Sequence, residues 1–231
     1  MGMGQDGQQD GRGGTGQRRL TRAETKARTR TLLLDAAARV FARKGFTGAS
    51  VEEIAESAGF STGALYSNFS SKEALFLELL SARASDRVSE AAQTLATHTA
   101  GTGEAVAGLS RLLIDVADKD IDFAPLQAEF WLYAVRNPEV LDTMAAQLRG
   151  PRESLEQLIA GALVRRGAPA GVSAEAVATV VTALFTGLVR QRRIDPASVS
   201  EELFGQALTW LFAGINAGGG QRGGALPDDA G

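Results

Sequence analysis

The chain has 231 residues, 44% of them hydrophobic, with no cysteine and one histidine, His98. This composition excludes disulfide frameworks, thiolate metal sites and cysteine nucleophiles, and a lone histidine makes a Ser-His-Asp triad or a histidine-based zinc site nearly impossible. The net charge of −3 is unevenly spread: residues 1–72 hold 11 Lys and Arg against 7 Asp and Glu, whereas residues 73–231 hold 13 against 20. A basic first third on an acidic remainder is typical of a nucleic-acid-binding head attached to a separate body.

The N-terminal residues 1–17 are rich in Gly and Gln and contain almost no apolar side chains. They cannot bury enough surface to offset chain entropy, so a disordered tail is predicted. Arg18, Arg19 and Arg22 follow, either as an arm that reaches phosphates or a minor groove, or as a solvated tail with non-specific attraction. Because the chain has no apolar run for a signal peptide and no 18-residue apolar stretch, a cytoplasmic protein is expected.

The first helix is predicted to begin at Thr21, because Thr21 and Glu24 have the spacing of a capping box. Gly45 is predicted to end it, since glycine adopts a left-handed conformation at little cost. Lys26 and Arg30 lie four residues apart on a face predicted to run toward a DNA backbone. The apolar face of this helix consists of Leu33, Leu34, Ala37, Val40 and Phe41.

The stretch 50–72 has the pattern of two short helices joined by a tight turn. Ser50 and Glu53 form a second capping box, and Gly59 can end the helix that they begin. Ser61 can cap the next helix, whose apolar residues lie four apart and point back into a core. A short helix with a small, polar outer face suits insertion into a DNA major groove, so a helix-turn-helix is predicted. The residues on that outer face are Thr62, Gly63, Ala64, Tyr66, Ser67 and Asn68.

The rest of the chain is predicted to be helical, without strand-like alternation. Ser70 and Glu73 have capping-box spacing, and the long helix that they begin starts in the head and ends in the body. Pro138 is predicted to start a later helix, and Gly150-Pro151 to interrupt the chain again. The fold class is therefore all-α. The predicted organisation is a tail over 1–17, a helix-turn-helix domain over 18–72, a helical ligand-binding and dimerisation domain over 73–216, and a second disordered tail over 217–231.

Two final helices carry apolar stripes that are broader than one neighbour can cover. The last of them is predicted to follow a capping box formed by Ser198 and Glu201. Broad stripes form either internal core or a self-association surface, and a two-fold dimer supplies the second half-site that a helix-turn-helix reads. A dimer four-helix bundle is favoured over pure core. The predicted interface residues are Val177, Val181, Leu184, Leu188, Leu208, Leu211 and Phe212.

The stretch SVEEIAESAGFSTGALYSNFSSKEAL, residues 50–75, closely resembles the N-terminal signature of TetR/AcrR-type transcriptional regulators. With the preceding helix and its Gly45-Phe46 exit, the resemblance covers about residues 21–80. The body is similar to the helical ligand-binding and dimerisation domain of that family in its layout. The sequence EFWLYA from Glu129, with Asn137-Pro138, is similar to one common subgroup of these bodies, but it does not name a ligand.

The resemblance implies a role for each matching position. Four residues would face base edges: Thr62, Gly63, Ala64 and Ser67. Five would bind mainly phosphates: Ser50, Ser61, Tyr66, Asn68 and Lys72. The residue types agree, because hydroxyls, an ammonium group and N–H groups at a helix N-terminus are phosphate partners. No long side chain for bidentate base contact lies on this helix, so specificity is expected to depend on Thr62, on the Ala64 methyl group and on DNA shape.

A structural interpretation of the same residues also stands. Ser50 and Ser61 are helix caps whether or not DNA is present, and each cap contributes about 0.5–2 kcal/mol. Tyr66 can be partly core, and Gly63 can simply permit close packing. The DNA-binding role is an addition to these structural roles.

In the body, the resemblance implies a site for a small, apolar or aromatic ligand whose binding shifts the protein away from its DNA-competent state. Aromatic residues with a few polar ones line such sites, although an aromatic stripe at helical spacing is more often core than pocket. The candidate ligand-binding residues are Phe123, Gln127, Phe130, Trp131, Tyr133, Met144 and Phe185.

The sequence therefore predicts a homodimeric repressor that binds a palindromic double-stranded DNA operator and is released by a small-molecule effector. No cofactor, metal or membrane partner is expected, and no enzymatic activity. Two alternatives remain. An all-α enzyme would have to use carboxylates such as those of 118–122, and a dimeric adaptor or ligand-binding protein would have lost operator binding. Tyr66, Lys72 and the basic first helix argue against the adaptor.

Overall fold

The computed structural model of the protein describes residues 21–97, 103–119 and 123–218, without the side chain of Phe123. These ranges contain ten α-helices, one 3₁₀ turn and no strand, which confirms the predicted all-α fold. The helices are α1 (Arg22–Gly48), α2 (Val51–Ala58), α3 (Thr62–Tyr66), α4 (Lys72–Thr97), α5 (Gly103–Lys119), α6 (Phe123–Val135), α7 (Pro138–Gln147), α8 (Arg149–Arg165), α9 (Ala174–Ile194) and α10 (Leu203–Gly218). None of the helices described is long and apolar enough to cross a membrane.

Local signals in the sequence determine the ends of the first three helices. Thr21 and Glu24 form the predicted capping box, with both hydrogen bonds present. Gly45 has φ +73° and breaks the helical backbone inside α1. The hydroxyl of Ser50 accepts the N–H of Glu53 at the start of α2, and Gly59 ends α2 in the left-handed conformation, with φ +76°. These contacts are short-range, which is why residue spacing alone predicted them.

The first hydrophobic core joins α1–α4 to α6. Its centre is a group of aromatic rings: Phe46 lies 4.8 Å from Phe130 and 5.3 Å from Tyr133 between ring centroids, and Phe76 lies 4.4 Å from Phe130. Phe41 packs edge-on against Phe76 at 5.4 Å. This core crosses residue 72, so the helix-turn-helix packs directly on the helices that follow it. The domain division at residue 72 stays a prediction.

The second hydrophobic core lies in the body, among α5, α8, α9 and α10. Most of its side chains are aliphatic, and Phe185 meets Phe204 edge-on at 5.5 Å. Gly205 lies so close to α5 that an added Cβ would be 2.3 Å from Val106 Cγ1. The buried hydroxyl of Ser110 accepts the N–H of Gly205 at 2.8 Å. Helices α5 and α10 therefore pack at close range where a glycine is required.

Two predicted boundaries in the middle of the chain are corrected by the structure. The cap of α4 is Ser71 rather than Ser70, because the Ser71 hydroxyl accepts the N–H of Ala74 at 3.1 Å. The break before α8 falls at Leu148, and Gly150-Pro151 lies in the first turn of α8. Proline is tolerated there because the N–H group that it lacks would have no acceptor within the helix.

The predicted capping box before α10 is wrong. Ser198 belongs to a 3₁₀ turn, Pro196–Ser198, and its hydroxyl donates to the carbonyl of Asp195 at 2.8 Å, while α10 begins only at Leu203. Ala217 and Gly218 end α10, so they are not part of a tail. The other residues of the two predicted tails lie outside the described ranges, as do Arg18, Arg19 and His98.

Candidate nucleic-acid interface

Helix α3 is held by one buried side chain and one cap. Leu65 is fully buried in the first core, and Phe69 just beyond the helix is nearly so. The hydroxyl of Ser61 accepts the N–H of Ala64 at 3.2 Å. These anchors leave the opposite face accessible. On it, Gly63, Tyr66 and Ser67 are exposed, and Thr62, Ala64 and Asn68 are half-buried.

The exposed side chains of α3 differ in how freely they can contact a ligand. Tyr66 is 52% exposed, which argues against the alternative that it belongs to the core. The Ser67 hydroxyl donates to the carbonyl of Ala64 at 2.7 Å. The Asn68 amide donates to that carbonyl at 2.8 Å and to the Ser67 hydroxyl at 3.3 Å, and its oxygen is buried without a hydrogen-bond partner. Because both amide donors of Asn68 are already used, a phosphate contact there would cost an existing hydrogen bond.

A groove of about 430 Å³ separates the N-terminal turns of α1 from α3. Cations and hydroxyls of α1 form one wall, and small and polar residues of the helix-turn-helix form the other. The lining residues are Arg22, Thr25, Lys26, Thr29, Phe60, Ala64, Ser67 and Asn68. Cations and hydroxyls are the groups that proteins use to bind phosphate oxygens. Lys26 lies in this groove beside α3, which we call the reading helix. Its contact with a DNA backbone stays a prediction.

Arg30, predicted to lie on the face of α1 toward DNA, has internal partners. Its guanidinium group is paired with both carboxylate oxygens of Glu78 on α4, with one N–O distance of 2.6 Å, and it also donates to the carbonyl of Asn68. It lies 4.2 Å above the ring centre of Phe69. Arg30 therefore joins α1, α4 and the end of the helix-turn-helix, because a planar fork of donors can satisfy a carboxylate and a carbonyl together.

Lys72 also has internal partners. Its ammonium group donates to the carbonyls of Phe46 at 2.9 Å and Ala49 at 3.0 Å, and lies 4.6 Å from the ring centre of Phe46. An ammonium group has three donors, so one remains for a phosphate. The phosphate role of Lys72 stays a prediction, and the structure adds a role that the sequence did not indicate.

Glu129 on α6 is a functional candidate that sequence reasoning missed. One oxygen of its carboxylate accepts the N–H of Phe46 at 2.9 Å and the other accepts the N–H of Thr47 at 2.7 Å. Partial burial raises the pKa of this carboxyl, but the hydrogen bonds from Thr47 and Phe46 and the charge of Lys72 outweigh it and lower the pKa below 4.5. The signal in the sequence was an acidic residue at the start of an otherwise apolar stretch, EFWLYA, from Glu129.

The candidate ligand-binding residues do not converge on one site. Phe130 is 1% exposed and belongs to the first core, which favours the core interpretation of this residue. The Tyr133 hydroxyl donates to Glu73 at 3.3 Å, and burial together with the charge of Glu73 raises the pKa of Tyr133. Trp131 is exposed and Gln127 half-buried. The remaining candidates separate: Met144 packs on the first core, Phe185 lies at the second, and the side chain of Phe123 is outside the description.

Elsewhere in the described residues, a second concave surface of about 420 Å³ lies between α4 and α5. Charged side chains of both signs line most of it, including Arg83, Asp86, Arg87 and Asp115. Small apolar ligands prefer mainly hydrophobic pockets, so this cleft does not match the predicted effector. The described ranges contain no group of three His, Cys, Asp or Glu residues suited to a metal ion.

Part of the predicted dimer interface is buried within the chain itself. Val177, Val181, Leu208 and Phe212 are only 7–8% exposed and belong to the second core, so they have little surface left for a second copy. Leu184, Leu188 and Leu211 are half-buried at the edge of that core. The large apolar side chains that α9 and α10 leave exposed are Val180, at 49%, Ile194, at 70%, and Trp210, at 63%. Four of the seven predicted interface residues are therefore explained as internal core, and the dimer interface stays a prediction.

Comparisons with known proteins find matches to both the N-terminal and the C-terminal part of the chain. The family model described as bacterial regulatory proteins, tetR family, matches residues 33–79, and the model described as BetI-type transcriptional repressor, C-terminal, matches residues 103–214. The chain is 33% identical over 127 residues to the HTH-type transcriptional repressor NicS of Pseudomonas putida, covering 54% of this chain and 51% of that protein. It is 27% identical over 209 residues to the HTH-type transcriptional regulator TtgR of Pseudomonas putida, covering 86% and 94%.

Solved structures also align with most of the chain. Salmonella enterica GusR aligns with a TM-score of 0.60 and 26% identity, covering 86% of this chain and 98% of that one. Two of the curated relatives, by contrast, are matched over about half of their length, 51% and 56%.

Proposed function

The chain belongs to the tetR family of bacterial regulatory proteins, and from that membership we propose that it is a homodimeric, sequence-specific DNA-binding repressor. The observation that carries the proposal is the accessible face of α3 beside the groove lined by Arg22 and Lys26. A small polar helix face next to cations is the arrangement that reads a major groove and binds the flanking phosphates.

We propose a division of contacts over this surface. Thr62, Gly63 and Ala64 on α3 lie at base edges, together with Ser67 if its hydroxyl turns away from the Ala64 carbonyl. Phosphate contacts come from Tyr66, from the caps Ser50 and Ser61, from the third donor of Lys72 and from Lys26. Asn68 contributes mainly through its position at the end of α3. With no long side chain on the reading face, sequence-dependent DNA shape supplies part of the specificity.

A homodimer places two reading helices on one operator. Val180 and Trp210 would be covered by a second copy, and the small exposed residues Ala183 and Gly187, three and seven positions after Val180, would allow helices to approach closely. A two-fold dimer makes the operator palindromic, with a half-site spacing fixed by the protein.

Repression and release by a ligand are the finer part of the proposal. Three names among the comparisons contain the word repressor: the C-terminal family model and the relatives NicS and KstR2. An effector that binds the body better in the DNA-incompetent state would shift the population away from operator binding. The half-buried Tyr133 and Met144, at the border of the first core, are the best-placed candidates to sense a small apolar or aromatic molecule.

The test uses a labelled DNA duplex that the wild-type protein selects from a random-sequence pool. Tyr66→Ala and Lys26→Ala are compared with Lys119→Ala, a change of an exposed lysine in the body. Lys26→Ala should lower the slope of log affinity against log salt by about 1, and each head variant should weaken binding by about tenfold.

Lys119→Ala should bind DNA as the wild type does, and all three variants should sediment like the wild type. If the wild-type protein forms dimers but enriches no sequence and shows no salt-dependent binding, the chain is a dimeric adaptor or ligand-binding protein instead.

A further inference from the structure

Residues 45–49, which we call the α1–α2 connection, are held by two opposite charges from later parts of the chain. The carboxylate of Glu129 on α6 accepts the N–H groups of Phe46 and Thr47. The ammonium group of Lys72, at the start of α4, donates to the carbonyls of Phe46 and Ala49. Two backbone donors of this connection are therefore satisfied by an anion and two of its acceptors by a cation. Charge-assisted hydrogen bonds of this kind are stronger than neutral ones.

The backbone of the connection is shaped to receive the carboxylate. Gly45 has φ +73°, a backbone conformation that residues other than glycine rarely adopt, and it turns the next two N–H groups toward α6. A Cβ at this position would lie 2.6 Å from Glu129 Oε2. Glycine is required here for two reasons, the positive φ and the approach of the carboxylate.

Helix α6 also contacts the connection through aromatic side chains. The ring of Phe46 lies between Phe130 at 4.8 Å and Tyr133 at 5.3 Å, one and four residues after Glu129 on the same helix. The polar and aromatic contacts together fix both the backbone and the side chain of Phe46. Because Ala49 directly precedes the cap of α2, and α2 packs on α3, the position of this connection determines where the reading helix lies.

We propose that Glu129 is a positioning residue for DNA reading: it ties the α1–α2 connection to α6, so that the reading helix takes its position from the body. The inference rests on the proposed function and adds to it a specific link between the body and the head. Movement of α6 would move the connection, and operator binding would in turn restrict α6, because coupling between two sites is reciprocal.

The first test is Glu129→Gln, with Glu153→Gln as the matched control. The glutamine side chain has one acceptor and would set its NH2 group against a backbone N–H, so one of the two hydrogen bonds is lost. Glu153 is an exposed carboxylate on α8, and its change removes the same charge. The probes are the selected DNA duplex, the same duplex with one base pair added or removed between the half-sites, and an unrelated duplex.

Glu129→Gln should bind the selected duplex about tenfold more weakly, as expected for the loss of a hydrogen bond to a charged group. It should also discriminate less against the altered spacings, and keep wild-type affinity for the unrelated duplex. Glu153→Gln should match the wild type throughout. If Glu129 had only a structural role, Glu129→Gln would lower the melting temperature, but at temperatures below it the preference for the half-site spacing would be unchanged.

A second measurement does not depend on the stability of one variant. Hydrogen exchange of α6 peptides should slow in the wild type when the selected duplex is added, and this effect should be lost in Glu129→Gln and in the charge-retaining Glu129→Asp, which is too short to reach both amides. Wild-type affinity, spacing preference and α6 protection in these variants would overturn the positioning role alone. If the wild type itself binds no DNA, the proposed function fails together with this inference.

Discussion

The two hydrophobic cores differ in how completely one chain closes them. In the first core, Phe41, Phe76 and Phe130 are almost fully buried and their rings contact one another at defined angles. In the second core, Phe212 retains some exposure, and the large side chains of Val180 and Trp210 stand on the adjacent surface. The first core therefore has a fully buried aromatic centre, whereas no aromatic ring of the second core is buried as completely.

This difference corresponds to different tasks. A helix that reads DNA must be held in one position before the ligand arrives, and edge-to-face rings and charge-assisted hydrogen bonds are directional contacts. A dimer surface needs exposed apolar area that a second copy can bury. Small residues beside one large aromatic side chain provide such an area. The comparison can be challenged by three measurements.

The largest effect is expected from shortening one phenylalanine in each core. Phe76→Ala removes a fully buried ring that packs on the rings of Phe41, Phe46 and Phe130, so it should lower the free energy of unfolding by about 3–5 kcal/mol. Phe212→Ala should cost about 3 kcal/mol or less, because the half-buried Leu211 and the exposed Trp210 beside it leave this part of the second core room to relax. Urea unfolding at two protein concentrations measures both losses, and only the Phe212→Ala midpoint should depend more strongly on concentration than the wild-type midpoint. Equal losses with no concentration dependence would mean that the second core is also closed.

A smaller effect on folding, but a large one on assembly, is expected at the exposed apolar side chains of α9 and α10. Val180→Glu and Trp210→Glu place a charge where a second copy would bury it, and an unpaired buried charge is strongly unfavourable. Both variants should sediment as folded monomers. Leu32→Glu, a change at another exposed apolar residue in the head, should remain dimeric. Dimers in both body variants would place the interface on a different surface.

The smallest effect is expected from pH. The pKa of Glu129 is lower in the folded chain than its ordinary value of 4.5, so its contribution to stability is present above 4.5 and is lost as pH falls through the lower folded value. Hydrogen bonding to Arg192 lowers the pKa of Asp118 in the same way below 3.8, but Asp118 is exposed, so solvent screens its contribution. The stability difference between wild type and Glu129→Gln should therefore shrink as urea unfolding is repeated from pH 6 down to pH 3. A difference that is constant with pH would show that the carboxylate charge is not involved.

The sequence by itself determined the helix-turn-helix and most of its local geometry. Thr21, Ser50 and Ser61 cap helices and Gly59 ends α2 as predicted, because a cap and its partner lie within four residues of each other. Gly45 breaks the helical backbone, although α1 continues to Gly48, and Ser50 makes one of the two hydrogen bonds of the predicted capping box. The misplaced cap at Ser70 differs from the actual cap at Ser71 by one residue, since adjacent serines offer the same chemistry at almost the same spacing. Contacts between residues this close in sequence can be predicted from residue spacing alone.

Only the tertiary structure decided which charges have partners and which apolar faces are covered. Arg30 pairs with Glu78, Lys72 with Phe46, and Glu129 with Phe46 and Thr47, over separations of 48, 26, 83 and 82 residues. Such partners are brought together by helix packing, which periodicity does not specify. On α9 and α10 the apolar stripe is broad, so its pattern alone does not distinguish the side that faces the second core from the side that carries Val180 and Trp210.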